Sequence, residues 1–248
     1  MNDMKKSLPR SFDVREVGFL FIIFLSAFFL LFINDGVFWD TWVLYNQPLS
    51  VLVDTFTQAG APWAGYYHYF VISSFGIWGA KFIMGSAYFL SGVFLNEIVR
   101  KLGCIKLYDR LLIVVLFLIA PVNFARISTI NHPSAVCMLS FFIGLYLFLA
   151  QLNMKSYAGL TFRILALFAF YFSFMLNSVL VLYAIVPMLF MCWFHLQGFS
   201  ALASAKEGLK YIDFWVLPIV FYVVKTVFFT PSGLYEGYNA LTVQAVVL

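Results

Sequence analysis

GFLFIIFLSAFFLLFI (Gly18–Ile33) runs for sixteen residues without a charge. A helix rises ~1.5 Å per residue, so this run nearly crosses a hydrocarbon core of about 30 Å. Lys5, Lys6, Arg10 and Arg15 precede it, and Asn34-Asp35-Gly36 follows. A basic start and an apolar run also open a secretory signal peptide. No small-x-small cleavage pattern follows Ile33, however, so the segment reads as an uncleaved first span.

The rest of the chain has the same character. Of 248 residues, 63% are hydrophobic and only 10% are charged. A soluble domain carries roughly 25% charged residues, enough to cover a water-facing surface. The deficit excludes an ordinary soluble globule, and the hydrophobicity excludes a disordered chain. An integral membrane protein remains. Phe is the excess residue, with 31 copies. Cys104, Cys137 and Cys192 match neither a disulfide framework nor a metal-ligand spacing and read as inert thiols.

The spacing predicts an all-α polytopic bundle of about seven spans in a single transmembrane domain, residues 1–248. Tyr66 to Val99 is too long for one crossing, and Gly76 and Gly79 break it. The second span is therefore placed at 79–99, with an aromatic interface helix at 62–77 before it. Further spans follow at 110–125, 133–151, 160–176, 178–196 and 212–229. A tight turn at Asn177-Ser178 joins the fifth to the sixth, and Pro187 predicts a kink. Gly85, Ala87, Ser91 and Gly92 supply a small-residue face for helix packing. Residues 240–248 are apolar again and read as the start of an eighth span, as expected of a fragment of a longer protein.

The basic residues orient this arrangement. With the N-terminus cytoplasmic, the inner segments hold 12 of the 15 Lys and Arg residues. Only Lys81, Arg126 and Lys225 fall towards the outside. That bias is the positive-inside pattern and predicts a multi-pass protein of the plasma (inner) membrane. Because the charges sit in small clusters at helix ends, the net +4 is no nucleic-acid signal.

Function is expected where polar residues gather, and they gather on the outer side. The loop 34–78 opens with Asp35 and Asp40 among aromatics. Apolar walls raise a carboxylate's pKa and a nearby cation lowers it, so either acid could serve as a general base or hold a divalent metal. Turn-making by Asp35 and helix capping by Asp40 are the plainer alternatives. After Pro48, Leu49, Leu52, Val53 and Phe56 recur at helical spacing opposite Ser50, Asp54, Thr57 and Gln58. This predicts an amphipathic helix lying on the bilayer. His68 follows in a Tyr-rich cluster, as a ligand or an interfacial anchor. The second outer loop carries Arg126, Asn131 and His132 before Pro133. Pro133 suits a first helical turn, whose free N–H groups favour a phosphate, with Arg126 beside it. Alternatively Arg126 snorkels to lipid headgroups. Lys225 and Glu236 are further outer charges that could contact a substrate, and Tyr235 lies beside Glu236.

A first span, an acid-bearing outer loop and two interface helices (48–59 and 62–77) occur here in that order. Together they resemble the N-terminal half of membrane glycosyltransferases of the GT-C superfamily. The resemblance implies a transferase that takes sugar from a polyprenyl-phosphate carrier and gives it to a glycan or lipid acceptor at the outer face. It implies Asp40 or Asp35 as the base and Arg126 as a contact to the carrier phosphate. The adjacent acid pair common in such enzymes is replaced here by two separated acids, and residues 1–248 do not include the soluble C-terminal domain that many members carry. Two other classes compete: a transporter or flippase of lipid-linked saccharides, and a non-catalytic membrane subunit.

Overall fold

The computed structural model describes residues 12–34, 36–37, 41–120, 128–152, 154, 157–175 and 177–237. Asp35, Asp40, Arg126 and the expected eighth segment, 240–248, lie outside the described residues. Those described form helices, turns and connecting segments, with no strand among them.

The first helix, α1, spans Val14–Ile33. The Asp13 side chain caps its start by accepting from the Arg15 amide at 2.9 Å. The Asn34 side chain ends it in a turn, accepting from the Gly36 amide at 2.7 Å. After one short turn, α2 (Thr41–Leu44), α3 follows at Leu49–Gln58 and α4 at Pro62–Leu102. The expected break in α4 falls at Gly76, whose φ of 64° and ψ of −166° interrupt the helix. Only glycine takes such a conformation without strain. The α3 helix crosses the first half of α4 at Gly65, where an added Cβ would stand 2.8 Å from the Leu52 carbonyl oxygen. Leu52 is buried there, so the amphipathic helix finds its partner in the protein.

The remaining helices are α5 (Leu107–Ile119), α6 (His132–Gln151), α7 (Tyr157–Ser173), α8 (Asn177–Leu182), α9 (Ile185–Leu196), α10 (Ala201–Gly208) and α11 (Ile212–Phe228). The span expected at 178–196 is two helices. The kink expected at Pro187 appears one turn earlier, at Tyr183-Ala184. A proline lacks the N–H that would bond the carbonyl four residues back, here that of Tyr183. The Val186 amide takes that carbonyl at 2.9 Å instead.

Five helical segments among the described residues are long and apolar enough to cross a membrane: 14–33, 62–102, 129–151, 179–196 and 201–228. The α5 and α7 helices have 13 and 17 residues. The expected count of seven spans is therefore not reproduced by length alone.

Small residues let these helices meet closely. A Cβ at Gly85 would stand 2.5 Å from the Phe32 ring, and one at Gly92 would stand 2.6 Å from Leu118. Phenylalanine fills the main core. Phe141, Phe148, Phe170, Phe174 and Phe214 are all fully buried, with Phe148 and Phe214 4.8 Å apart in an edge-on pair. Edge-on aromatic packing is a favourable use of so many rings.

Candidate functional site

At the end of the bundle where α1 finishes and α6 begins, Thr41 forms the hub of a hydroxyl clasp. It is fully buried. Its Oγ1 lies 2.8 Å from the Ser128 hydroxyl and accepts from the Thr129 hydroxyl at 3.3 Å and the Ile130 amide at 3.2 Å. The clasp joins segments 87 residues apart. Covalently, Thr41 follows Asp40 and Ser128 is two residues beyond Arg126.

Beneath the clasp, a 3-10 turn over Thr129–Asn131 leads into α6, with Pro133 in its first turn. The turn holds His132 Nδ1 2.6 Å from the Thr129 carbonyl. A carbonyl only accepts, so Nδ1 carries the hydrogen, and in the neutral ring Nε2 keeps a bare lone pair. His68, on the first half of α4, stacks on His132 with ring centroids 5.2 Å apart. Both rings are fully buried, with Tyr67 5.1 Å from His132 and Phe56 6.3 Å from His68. His132 Nε2 is buried without a hydrogen-bond partner among the described residues, and His68 faces the Leu44 backbone. A buried nitrogen without a partner is rare in folded proteins and points to a role beyond packing.

Next to the pair is a cleft of about 300 Å³. Thr55, Phe56, Trp63, Asn131, Ser134 and Tyr235 supply its aromatic and polar lining, and no Asp, Glu, Lys, Arg or His among the described residues lines it. Trp63 is held by Phe172 at 5.6 Å and Tyr67 at 6.1 Å, while its indole Nε1 is buried without a hydrogen-bond partner among the described residues. Tyr235 reaches the cleft because the segment after α11 docks on the end of α3. There the Ser232 amide donates to the Gln58 carbonyl at 2.9 Å, and the Leu234 amide donates to the Gln58 side chain at 3.3 Å.

The structure thus brings together His68, Asn131 and His132 of the expected site residues. Lys225 sits partly buried in the last turn of α11, one turn before Phe229, and makes no ion pair among the described residues. Glu236 is exposed and does not line the cleft, so only its neighbour Tyr235 contributes there. Lys81 is buried, donates to the Asn34 carbonyl and lies 5.1 Å from the Trp78 ring. Asn34 directly precedes Asp35. Among the described residues, no group of three or more His, Cys, Asp or Glu is placed to hold a metal ion.

Thr41, Ser128 and Thr129 escaped the sequence reading, since hydroxyls give no long-range signal. So did a polar network at the opposite end. There Glu16 accepts from Arg110 and from the Asn96 amide at 2.7 Å, and Glu97 pairs with Arg100. Acids flanking basic helix ends were its signal. No family model matches this sequence, and no curated protein or solved structure matches it.

Proposed function

We propose that this chain is a GT-C-like membrane glycosyltransferase that moves a sugar from a lipid-phosphate carrier to a glycan or lipid acceptor. On this reading it lies in the plasma membrane with its N-terminus cytoplasmic, about seven spans, and its site at the outer face. The observation that carries the reading is the Thr41 clasp, which ties the chain next to Asp40 to the chain next to Arg126. The placement of basic residues supports the orientation.

Alternating contacts support the seven crossings. Lys81 meets Asn34 at one end of the bundle, and Asn96 and Arg110 meet Glu16 at the other. These contacts turn the chain back after α1 and again after α4. His132 returns to His68, and Cys137 at the start of α6 meets the Phe172 carbonyl at the end of α7. Phe190 of α9 stands beside Tyr211 just before α11, and Phe221 of α11 stands beside Phe174.

The mechanism is direct displacement. Asp40 (or Asp35) takes the proton of an acceptor hydroxyl as that oxygen attacks the anomeric carbon. The bond from that carbon to the phosphate oxygen breaks, and its electrons leave with the carrier phosphate. Arg126 and the free N–H groups at the start of α6 stabilise the departing charge. The test is transfer from polyprenyl-phosphate-linked hexoses by the chain in proteoliposomes. Removing the base should lower the rate by about 100-fold or more. Full activity in both folded Asp35→Asn and Asp40→Asn variants would sink the proposal.

One observation favours the flippase reading: Lys81 is a buried cation five residues beyond the Gly76 break. Broken helices with buried polar groups suit transport. A flippase moves the labelled carrier lipid across the bilayer and forms no new glycosidic product, so the same assay separates the two.

A further inference from the structure

We infer that residues 229–237 form a strap that gates the cleft between α3, α4 and α6. Latched on Gln58, the strap holds Tyr235 in the cleft lining; released, it opens the cleft to a ligand. The strap leaves α11 at Phe229. There the Thr230 hydroxyl still donates to the Thr226 carbonyl at 2.6 Å, but Pro231 cannot extend the helix. Two glycines let the strap and the end of α3 meet closely. A Cβ on Gly60 would stand 2.4 Å from the Phe229 carbonyl oxygen, and one on Gly233 would stand 2.7 Å from Gln58 Oε1. Both glycines have positive φ, 74° and 58°, which only glycine takes at no cost. The chain is therefore shaped for this contact from both sides.

The contact is also a light one. The Ser232 and Leu234 amides both donate to Gln58, one to its backbone and one to its side chain. No residue from 229 to 237 is fully buried, and Leu234 is 93% exposed. A segment with exposed hydrogen bonds and little buried apolar surface opens at small cost, and lids are drawn from such segments. Cys137 lines the same cleft and is fully buried, with its thiol on the Phe172 carbonyl. Its reactivity therefore reports opening. The inference concerns access to the cleft and stands whether or not the chain transfers a sugar.

The experiment is modification of the full chain in lipid nanodiscs by methyl methanethiosulfonate, with the rate at each cysteine read by peptide mass spectrometry. Exposed Cys104, beyond the far end of α4, and partly buried Cys192, in α9, are internal controls. Wild-type Cys137 reacts about 100-fold more slowly than Cys104, or slower still. Gln58→Ala removes the acceptor of the Leu234 amide and raises the Cys137 rate about five- to tenfold, the weight of one hydrogen bond, with both controls unchanged. Tyr235→Ala raises it as well, and carries this arm if Gln58→Ala does not fold. The opposite arm locks the strap. A Cβ on Gly233 would stand 3.6 Å from Gln58 Cγ, the place a cysteine sulfur takes, so Gln58→Cys with Gly233→Cys is within disulfide reach. Once oxidised, this double variant slows Cys137 about tenfold or more below wild type, and reduction reverses the effect. Equal Cys137 rates in wild type, Gln58→Ala and the oxidised double variant would overturn the inference. So would wild-type Cys137 reacting as fast as Cys104, or a rise at Cys137 matched by one at Cys192, which is general loosening. Failure of the strap leaves the transfer proposal untouched, and full activity in both Asp variants leaves the strap untouched.

Discussion

The two ends of the bundle handle buried polarity in opposite ways. Where α1 begins, charge meets charge: Glu16 with Arg110, Glu97 with Arg100. Arg163 and Asp213 pair likewise between α7 and α11, at 2.7 Å. Where α1 ends, the groups are mostly neutral hydroxyls, rings and amides, and the buried Trp63 Nε1 and His132 Nε2 have no partner among the described residues. The charged end has unpartnered atoms too: Glu97 Oε1 and Arg110 Nε belong to ion-paired side chains, while Asn96 Oδ1 and Gln151 Nε2 do not. The first arrangement clamps helices together. The second keeps binding capacity in reserve, as expected of an end that meets a substrate.

The contrast can be broken first at the clamp. Arg110→Met leaves the partly buried Glu16 with only the Asn96 amide, at the lower end of what removing one partner of a buried pair costs, about 3 kcal/mol. Its thermal midpoint should fall most, while transfer per folded molecule is retained. At the other end, Thr41→Val removes the hub of the clasp and costs about 1–3 kcal/mol, since the Ser128 and Thr129 hydroxyls and the Ile130 amide each lose a partner. Transfer per folded molecule should fall with it, and Thr41→Ser should restore both. His68→Phe should change stability least, by about 1 kcal/mol, because the ring packing on His132 and Phe56 is kept and only the contact with the Leu44 backbone is lost. A large destabilisation by His68→Phe, measured by thermal melting, would show that the ring is a structural element like Arg110.

Much of the fold was legible because its signals are local. Unbroken apolarity marked α1, Pro48 and the spacing of Leu49, Leu52 and Phe56 marked α3, and Gly76 marked the break in α4. Gly85 and Gly92 lie where α4 meets α1 and α5, as their size suggested. The span count was harder, because α5 and α7 are shorter than the apolar runs that contain them. The site was legible only in part. His68, Asn131 and His132 were singled out as rare polar residues in apolar surroundings, and they converge. Lys225 and Glu236 were singled out by charge alone and stay outside the cleft. The clasp and the docking of Ser232 and Leu234 on Gln58 depend on contacts across 87 or more residues. No pattern along the chain encodes such contacts.

The measurement that bears most directly on the account is the initial rate of sugar transfer per folded molecule in proteoliposomes. It compares Asp35→Asn and Asp40→Asn with Arg110→Met. The account predicts that at least one Asp variant loses about 100-fold or more, the range expected for a lost general base, while Arg110→Met keeps its rate. Full activity in both Asp variants, or a rate lost only with Arg110, would contradict it.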